Sequence, residues 1–178
     1  FIEEDVVEEI LKLDNQGLPL DIHISKGVHI GKGVKLYHNL KLGKNVSLDG
    51  DIQLGKNITI KENSRLSCFY GQQINIGDNV EIFGGNVIKG NVTIGENTKI
   101  ESGVRITGND QYPCIIGSHV SVKGLTYIFG SKVDDHIFIE HSVLIRKKIS
   151  KPDGVKADIY KIKYYLPEAE GVEAVKDL

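Results

Sequence analysis

Apolar residues recur every six positions through most of this 178-residue chain, and that period limits what it can fold into. Leu18, Ile24, Ile30, Leu36, Leu42, Leu48, Leu54, Ile60 and Leu66 keep the step without a break. Ile76, Ile82, Ile88, Ile94, Ile100 and Ile106 keep it again, and Ile116, Val122 and Ile128 form a third run. The rhythm then resumes one residue early at Val133 and continues through Ile139 and Ile145. An amphipathic helix needs apolar residues at steps of three and four, and a half-buried strand alternates every two. A step of six fits neither, and a sustained repeat means stacked units whose core is shared between neighbours.

The 21 rungs group in threes as seven coils. Four residues after most rungs stands a second apolar side chain, as at Val28, Val34, Leu40, Val46, Val80, Val120 and Val143. Three residues after, Gly or Asn recurs at Gly27, Gly33, Asn39, Asn45, Asn57, Asn79, Asn91 and Asn97. These residue types tolerate the positive φ of a tight corner. Two inward residues and a corner per six describe a short strand and a bend, so three repeats close one turn of a prism with a parallel sheet on each side. At about 4.8 Å per coil, seven coils make a body roughly 30 Å long. Ser64, Asn86, Thr98 and Thr126 fall at the inward position, and a buried hydroxyl or amide is costly unless hydrogen-bonded. An interior polar ladder is therefore expected.

Two steps of ten residues interrupt the rhythm, Leu66 to Ile76 and Ile106 to Ile116. Leu66 and Ile106 are six faces apart, two full turns, so both insertions leave the same corner. They carry SCFYGQQIN and TGNDQYPCI, and paired protrusions with aromatic and amide side chains could line a groove. Tyr70, Gln72, Asn109, Asp110 and Tyr112 are its candidate lining.

Residues 1–17 are expected to form a capping or linker helix, with Val6, Val7, Ile10 and Leu11 on one side and Gly17 as its stop. Residues 18–149 hold the repeat, and 150–178 a cap or tail. Tyr160, Ile162, Tyr164 and Leu166 alternate there with polar residues as a strand before Pro167, and a short helix is expected over the last ten residues.

With 22 basic and 24 acidic residues the formal charge is −2, so no global field attracts nucleic acid or an anionic membrane. No apolar run approaches the roughly 20 residues of a membrane span, and a cytoplasmic location is the expectation. Cys68 and Cys114 are too few for a disulfide framework and are expected as free thiols. The chain begins at Phe1 and has no methionine, which points to a domain of a longer protein.

The histidines are His23, His29, His38, His119, His136 and His141, none inside an insertion. His119 and His136 occupy equivalent corner positions 17 residues apart, so they should stack on adjacent coils above Asn97 and Asn79.

Runs such as LGKNITIKENSRL, IGDNVEI and VTIGENTKIESGVRI resemble the hexapeptide-repeat transferase superfamily, over residues 18–149. The resemblance implies an all-β fold, a left-handed parallel β-helix, although parallel crossovers in general prefer the right hand. VDDHIFIEHSVLIRKKI looks like coils from the C-terminal β-helix domain of sugar-nucleotide pyrophosphorylases, which are nucleotidyltransferases. That implies an assembly or regulatory role with the catalytic domain elsewhere.

The alternative that the resemblance implies is an acyl-coenzyme A-dependent acyltransferase acting on a sugar or nucleotide sugar, with acetyl-CoA as donor. In such enzymes a histidine near a loop deprotonates the acceptor, which makes His119, His136 and His141 the candidate bases. SKPDGVKADIY stands where small acetyltransferases of this kind carry a Gly-Ala-rich coil. A third implication is a non-catalytic homotrimeric scaffold, with Tyr37, Phe83 and Phe129 as contact candidates. His136 and His141 are also spaced like a pair in the related γ-class carbonic anhydrases, but Ile100 and Glu101 stand where a further histidine is needed, so no metal is expected.

Overall fold

The computed structural model describes residues 21–169 and 171–178, and the expected N-terminal helix lies outside them. Within the described residues there is no helix, and the chain winds as a solenoid of about seven turns with three flat sides. The first face begins at Ile22–Ile24, the second at His29–Ile30 and the third at Val34–Lys35. They hold eight, seven and eight strands, and inside each sheet a strand pairs in parallel with those one turn before and after, except the antiparallel strand that ends the third.

The period of six produces this shape because a side chain at each step points inward and lands above the inward residue of the previous coil. On the second face Leu48, Leu66, Ile88, Ile106 and Ile128 follow one another in register. All five are 0% exposed. The residues four past the rungs fill the same interior near the corners, and burying each such side chain contributes about 1.5–3 kcal/mol.

Asn and Gly make the corners. Asn39, Asn57, Asn79 and Asn97 all have φ between 56° and 58° on the corner from the third face to the first. Amide side chains join the first three of them along the axis, Asn39 to Asn57 and Asn57 to Asn79, each at 2.9 Å. The corner from second to third face is built differently. There Gly50 and Gly90 carry the positive φ, and Asn91 does not.

The interior polar ladder is present and satisfied. Ser64 donates its hydroxyl to the Phe83 carbonyl at 2.7 Å, and the Asn86 backbone N–H returns to that hydroxyl at 3.2 Å. The Asn86 amide accepts from the buried Val104 N–H at 2.7 Å. Thr98 and Thr126 accept from the Val120 and Ser142 N–H groups in the same way.

The early step at Val133 stands, since Val133 pairs with Ile116 and is 3% exposed. A second early step follows, and here the expectation fails. Leu144, not Ile145, is the next inward rung, opposite Ile128 and 0% exposed, while Ile145 is 40% exposed. Ser142 takes the inward corner position assigned to Val143. A shift of one residue reverses every side chain of a strand.

The solenoid also continues beyond residue 149. Tyr160–Lys163 adds an eighth strand to the first face, with Ile162 above Ile139. Ile162 is buried, whereas Tyr164 and Leu166 are exposed, so the expected alternation holds for only part of that strand. Instead of a terminal helix, Val175–Asp177 forms a strand antiparallel to Lys147–Ile149, tied by an ion pair between Lys147 and Asp177. Hydrogen bonding and proximity to Lys147 hold the Asp177 carboxyl below the usual range, and Asp177 raises the lysine.

Candidate functional site

The corner between second and third faces carries both insertions, as rung counting predicts. Arg65–Ser67 runs into the first and Arg105–Gly108 into the second, and between them the intervening coil turns through Lys89, Gly90 and Asn91. Gly90 lies directly below Gly108.

Two hydrogen bonds fix the insertions to each other and to that floor. Gln72 donates its amide to the Asp110 carboxylate at 3.3 Å, and Asn91 donates to the same oxygen at 3.0 Å. Asn91 also accepts from the Gln73 N–H, and Gln73 donates to Asp51 at 3.0 Å. Within the loops, the Phe69 N–H donates to Gln72 and the Tyr112 N–H to Asn109. Gln72, Asn109 and Asp110 thus shape the insertions by bonding to their own surroundings.

Tyr70 extends into solvent at the edge of a concavity of about 650 Å³, whose floor includes Gly50, Asp51 and Cys68. Tyr112 packs over Gly130, edge-on to Phe129 with 6.4 Å between ring centres. The Arg146 guanidinium lies 5.3 Å from the Tyr112 ring centre. The predicted lining residues therefore share one corner, with Tyr70 at the rim and Tyr112 held against the second face.

The histidines lie elsewhere. His119 and His136 continue the asparagine corner, with φ of 55° and 60°, and their rings stack 4.8 Å apart at an angle of 4°. His141 occupies the corner from first to second face, where its Nδ1 is 2.7 Å from the Gly124 carbonyl and its ring stacks on Tyr164. The three candidate bases thus fall on two corners, and neither is the corner of the insertions. Among the described residues no three His, Cys, Asp or Glu side chains form a metal-binding group. Tyr37, Phe83 and Phe129 likewise do not share one patch; Phe83 is on the first face between Lys61 and Lys99, and Phe129 on the second.

Neither cysteine is paired. Burial pushes the Cys68 thiol up, with the Asp51 charge adding to it. Burial pushes Cys114 up to about 12, against 9.0 for a free thiol. The folded state holds that proton where the unfolded chain releases it, so stability is full below pH 9 and falls as pH rises toward 12. The expected slope from this thiol is about 1.4 kcal/mol per pH unit. Denaturant titrations of the chain and of Cys114→Ala from pH 8 to 11 should separate over that window. Parallel curves would contradict the burial.

Residues 74–108 match the bacterial transferase hexapeptide (six repeats) family. No curated protein sequence matches the chain. Among solved structures, a UDP-N-acetylglucosamine acyltransferase is 21% identical with a TM-score of 0.53, covering 86% of this chain and 71% of that one. LpxA from Acinetobacter baumannii is 16% identical with a TM-score of 0.33, covering 85% and 71%. No helix among the described residues is long and apolar enough to cross a membrane. Residues 74–108 thus carry the repeat of the bacterial transferase hexapeptide family, within a solenoid whose fold is shared with the UDP-N-acetylglucosamine acyltransferase structure.

Proposed function

We propose that the chain is an acyl-coenzyme A-dependent acyltransferase whose acceptor, a sugar or nucleotide sugar, binds at the insertion corner. The observation that carries this reading is the concavity beside the first insertion, bordered by Tyr70, Gln72 and Gln73, whose loop Asn91 and Asp110 tie to the second insertion two turns away. The concavity's volume of about 650 Å³ is that of a small-molecule site. The transferase repeat and the fold shared with an acyltransferase add support.

In the reaction the acceptor hydroxyl or amine attacks the thioester carbonyl, its proton passes to a base, and the coenzyme A thiolate leaves and is protonated. His119, His136 and His141 are the base candidates. Because they lie on other corners than the insertions, a homo-oligomer, a trimer foremost, is part of the reading: a neighbouring copy must bring a histidine to the acceptor.

The test is release of coenzyme A thiol from acetyl-CoA in the presence of amino sugars and nucleotide sugars. Turnover is expected, with one His→Ala change lowering kcat by about 100-fold or more. Transfer untouched by all three His→Ala changes rejects the histidine assignment, and no transfer to any acceptor rejects the activity.

The distance in sequence and in the prism between histidines and insertions favours a second reading. This is the assembly or regulatory β-helix domain of a sugar-nucleotide pyrophosphorylase-like protein, or a trimeric scaffold. Both expect no acetyl transfer and no pyrophosphorylase activity from these 178 residues.

A further inference from the structure

On the first face Lys61 pairs with Glu81, Lys123 with Glu101 and Lys163 with Glu140. On the third face Lys147 and Lys148 pair with Asp177 and Asp134. On the second face three cations stand together. Arg65 and Arg105 stand on either side of Val87 in register, and Lys89 lies between Ser67 and Thr107 on the next outward row. All three cations are exposed, and none has an ion-pair partner among the described residues.

Strand spacing places the Arg65 and Arg105 backbones about 10 Å apart with Lys89 about 8 Å from each, so all three heads reach one point above Val87. Like charges in neighbouring register repel. The strands that carry them hold no acid. Of the carboxylates nearby, Asp110 is occupied by Gln72 and Asn91, and Asp51 by Gln73. Asp49, opposite Ser67, is the remaining one on this face.

This triangle stands at the foot of both insertions, because Ser67 and Thr107 are the last outward residues before each loop departs. The Lys89 Nζ also lies 5.1 Å from the ring centre of the exposed Phe69, a residue that borders the concavity. We infer that Arg65, Lys89 and Arg105 form a clamp for the diphosphate of a ligand whose remainder enters the insertion groove. Two guanidinium forks can each grip a phosphate through paired hydrogen bonds, with the lysine as a point charge between them. The hydroxyls of Ser67 and Thr107 supply further donors. The inference deepens the acceptor-site reading by naming the ligand's class as a diphosphate ester, and it rests on that reading only for what fills the groove.

Calorimetric titration of the whole chain with inorganic pyrophosphate at low salt tests it. Saturable binding is expected, weakened at least tenfold in Arg65→Gln/Arg105→Gln and in Lys89→Gln, and unchanged in Lys61→Gln/Lys123→Gln on the first face. Absence of saturable binding, or equal weakening by the first-face pair, overturns the clamp. So does an Arg65→Gln/Arg105→Gln variant that changes sedimentation but not binding, since the face is then a contact between copies. Pyrophosphate binding by these residues without acetyl transfer leaves the clamp standing and removes the acyltransferase reading; transfer without such binding does the reverse.

Discussion

Gly90→Val should leave little folded protein. Gly90 has φ of +88°, a region that costs side-chain-bearing residues and β-branched ones most. An added Cβ would lie 2.9 Å from the Gly108 carbonyl carbon and overlap its oxygen. That carbonyl accepts from the Asn91 N–H at 3.2 Å, so it cannot move without breaking the ladder that sets the floor between the insertions. Backbone strain and overlap together should cost about 4 kcal/mol or more. Gly71 provides the comparison, with φ of +85° and open space around it. Gly71→Ala should cost only the conformational part, about 1–2 kcal/mol. Circular dichroism melts of the two variants decide it, and equal losses would mean that the overlap is relieved by backbone movement.

Ile88→Ala should lower stability by about 2–5 kcal/mol. Ile88 is 0% exposed in the middle coil, with Leu66 below and Ile106 above in register. Both neighbours are held by their own strands, so the space left by the deleted atoms cannot close. Thr93→Ala, outward and exposed on the third face, should stay within about 0.5 kcal/mol. Denaturant midpoints measure both, and a loss under 1 kcal/mol at Ile88 would show that the coils relax together. Domains of this size are typically stable by about 5–15 kcal/mol, so Gly90→Val or Ile88→Ala alone removes a large share.

The faces of the prism could be read from the chain because each coil repeats one decision, rung inward and corner at Asn or Gly. Reading failed where that decision was ambiguous. In SVLIR both alternations offer an apolar rung, Val143 and Ile145 on one and Leu144 on the other, and only pairing with Ile128 selects Leu144 over Ile145. Ile149 falls five residues after Leu144, off the step of six, and Ile162 follows a loop longer than the earlier insertions, so neither was recognisable as a rung. The helix expected over the last ten residues gave way to a strand because an open edge at Lys147–Ile149 offered partners for its backbone.

The insertion corner was legible for the same reason as the faces, by counting turns. The stacked His119 and His136 followed likewise from their equal place in the repeat. The bridge from Gln72 to Asp110 was not legible, since it joins side chains 38 residues apart whose loop shapes no period dictates. Nor was the grouping of Arg65, Lys89 and Arg105, which depends on which outward row each occupies and on the absence of acids beside them.

Parallel sheets ordinarily force a chain to close long excursions before any pairing is rewarded, which makes them slow to form. Among the described residues the parallel partners are never far apart along the chain: Ile128 meets Leu144 after 16 residues, and the widest separation, Ile139 to Ile162, is 23. Closing each such loop costs nearly the same entropy as the last, because that cost grows only with the logarithm of loop length. Once one turn has closed, its edges are the template for the next, and ordering can spread in either direction from wherever it starts. The three sheets, for all their parallel strands, should assemble with the kinetics of a zipper.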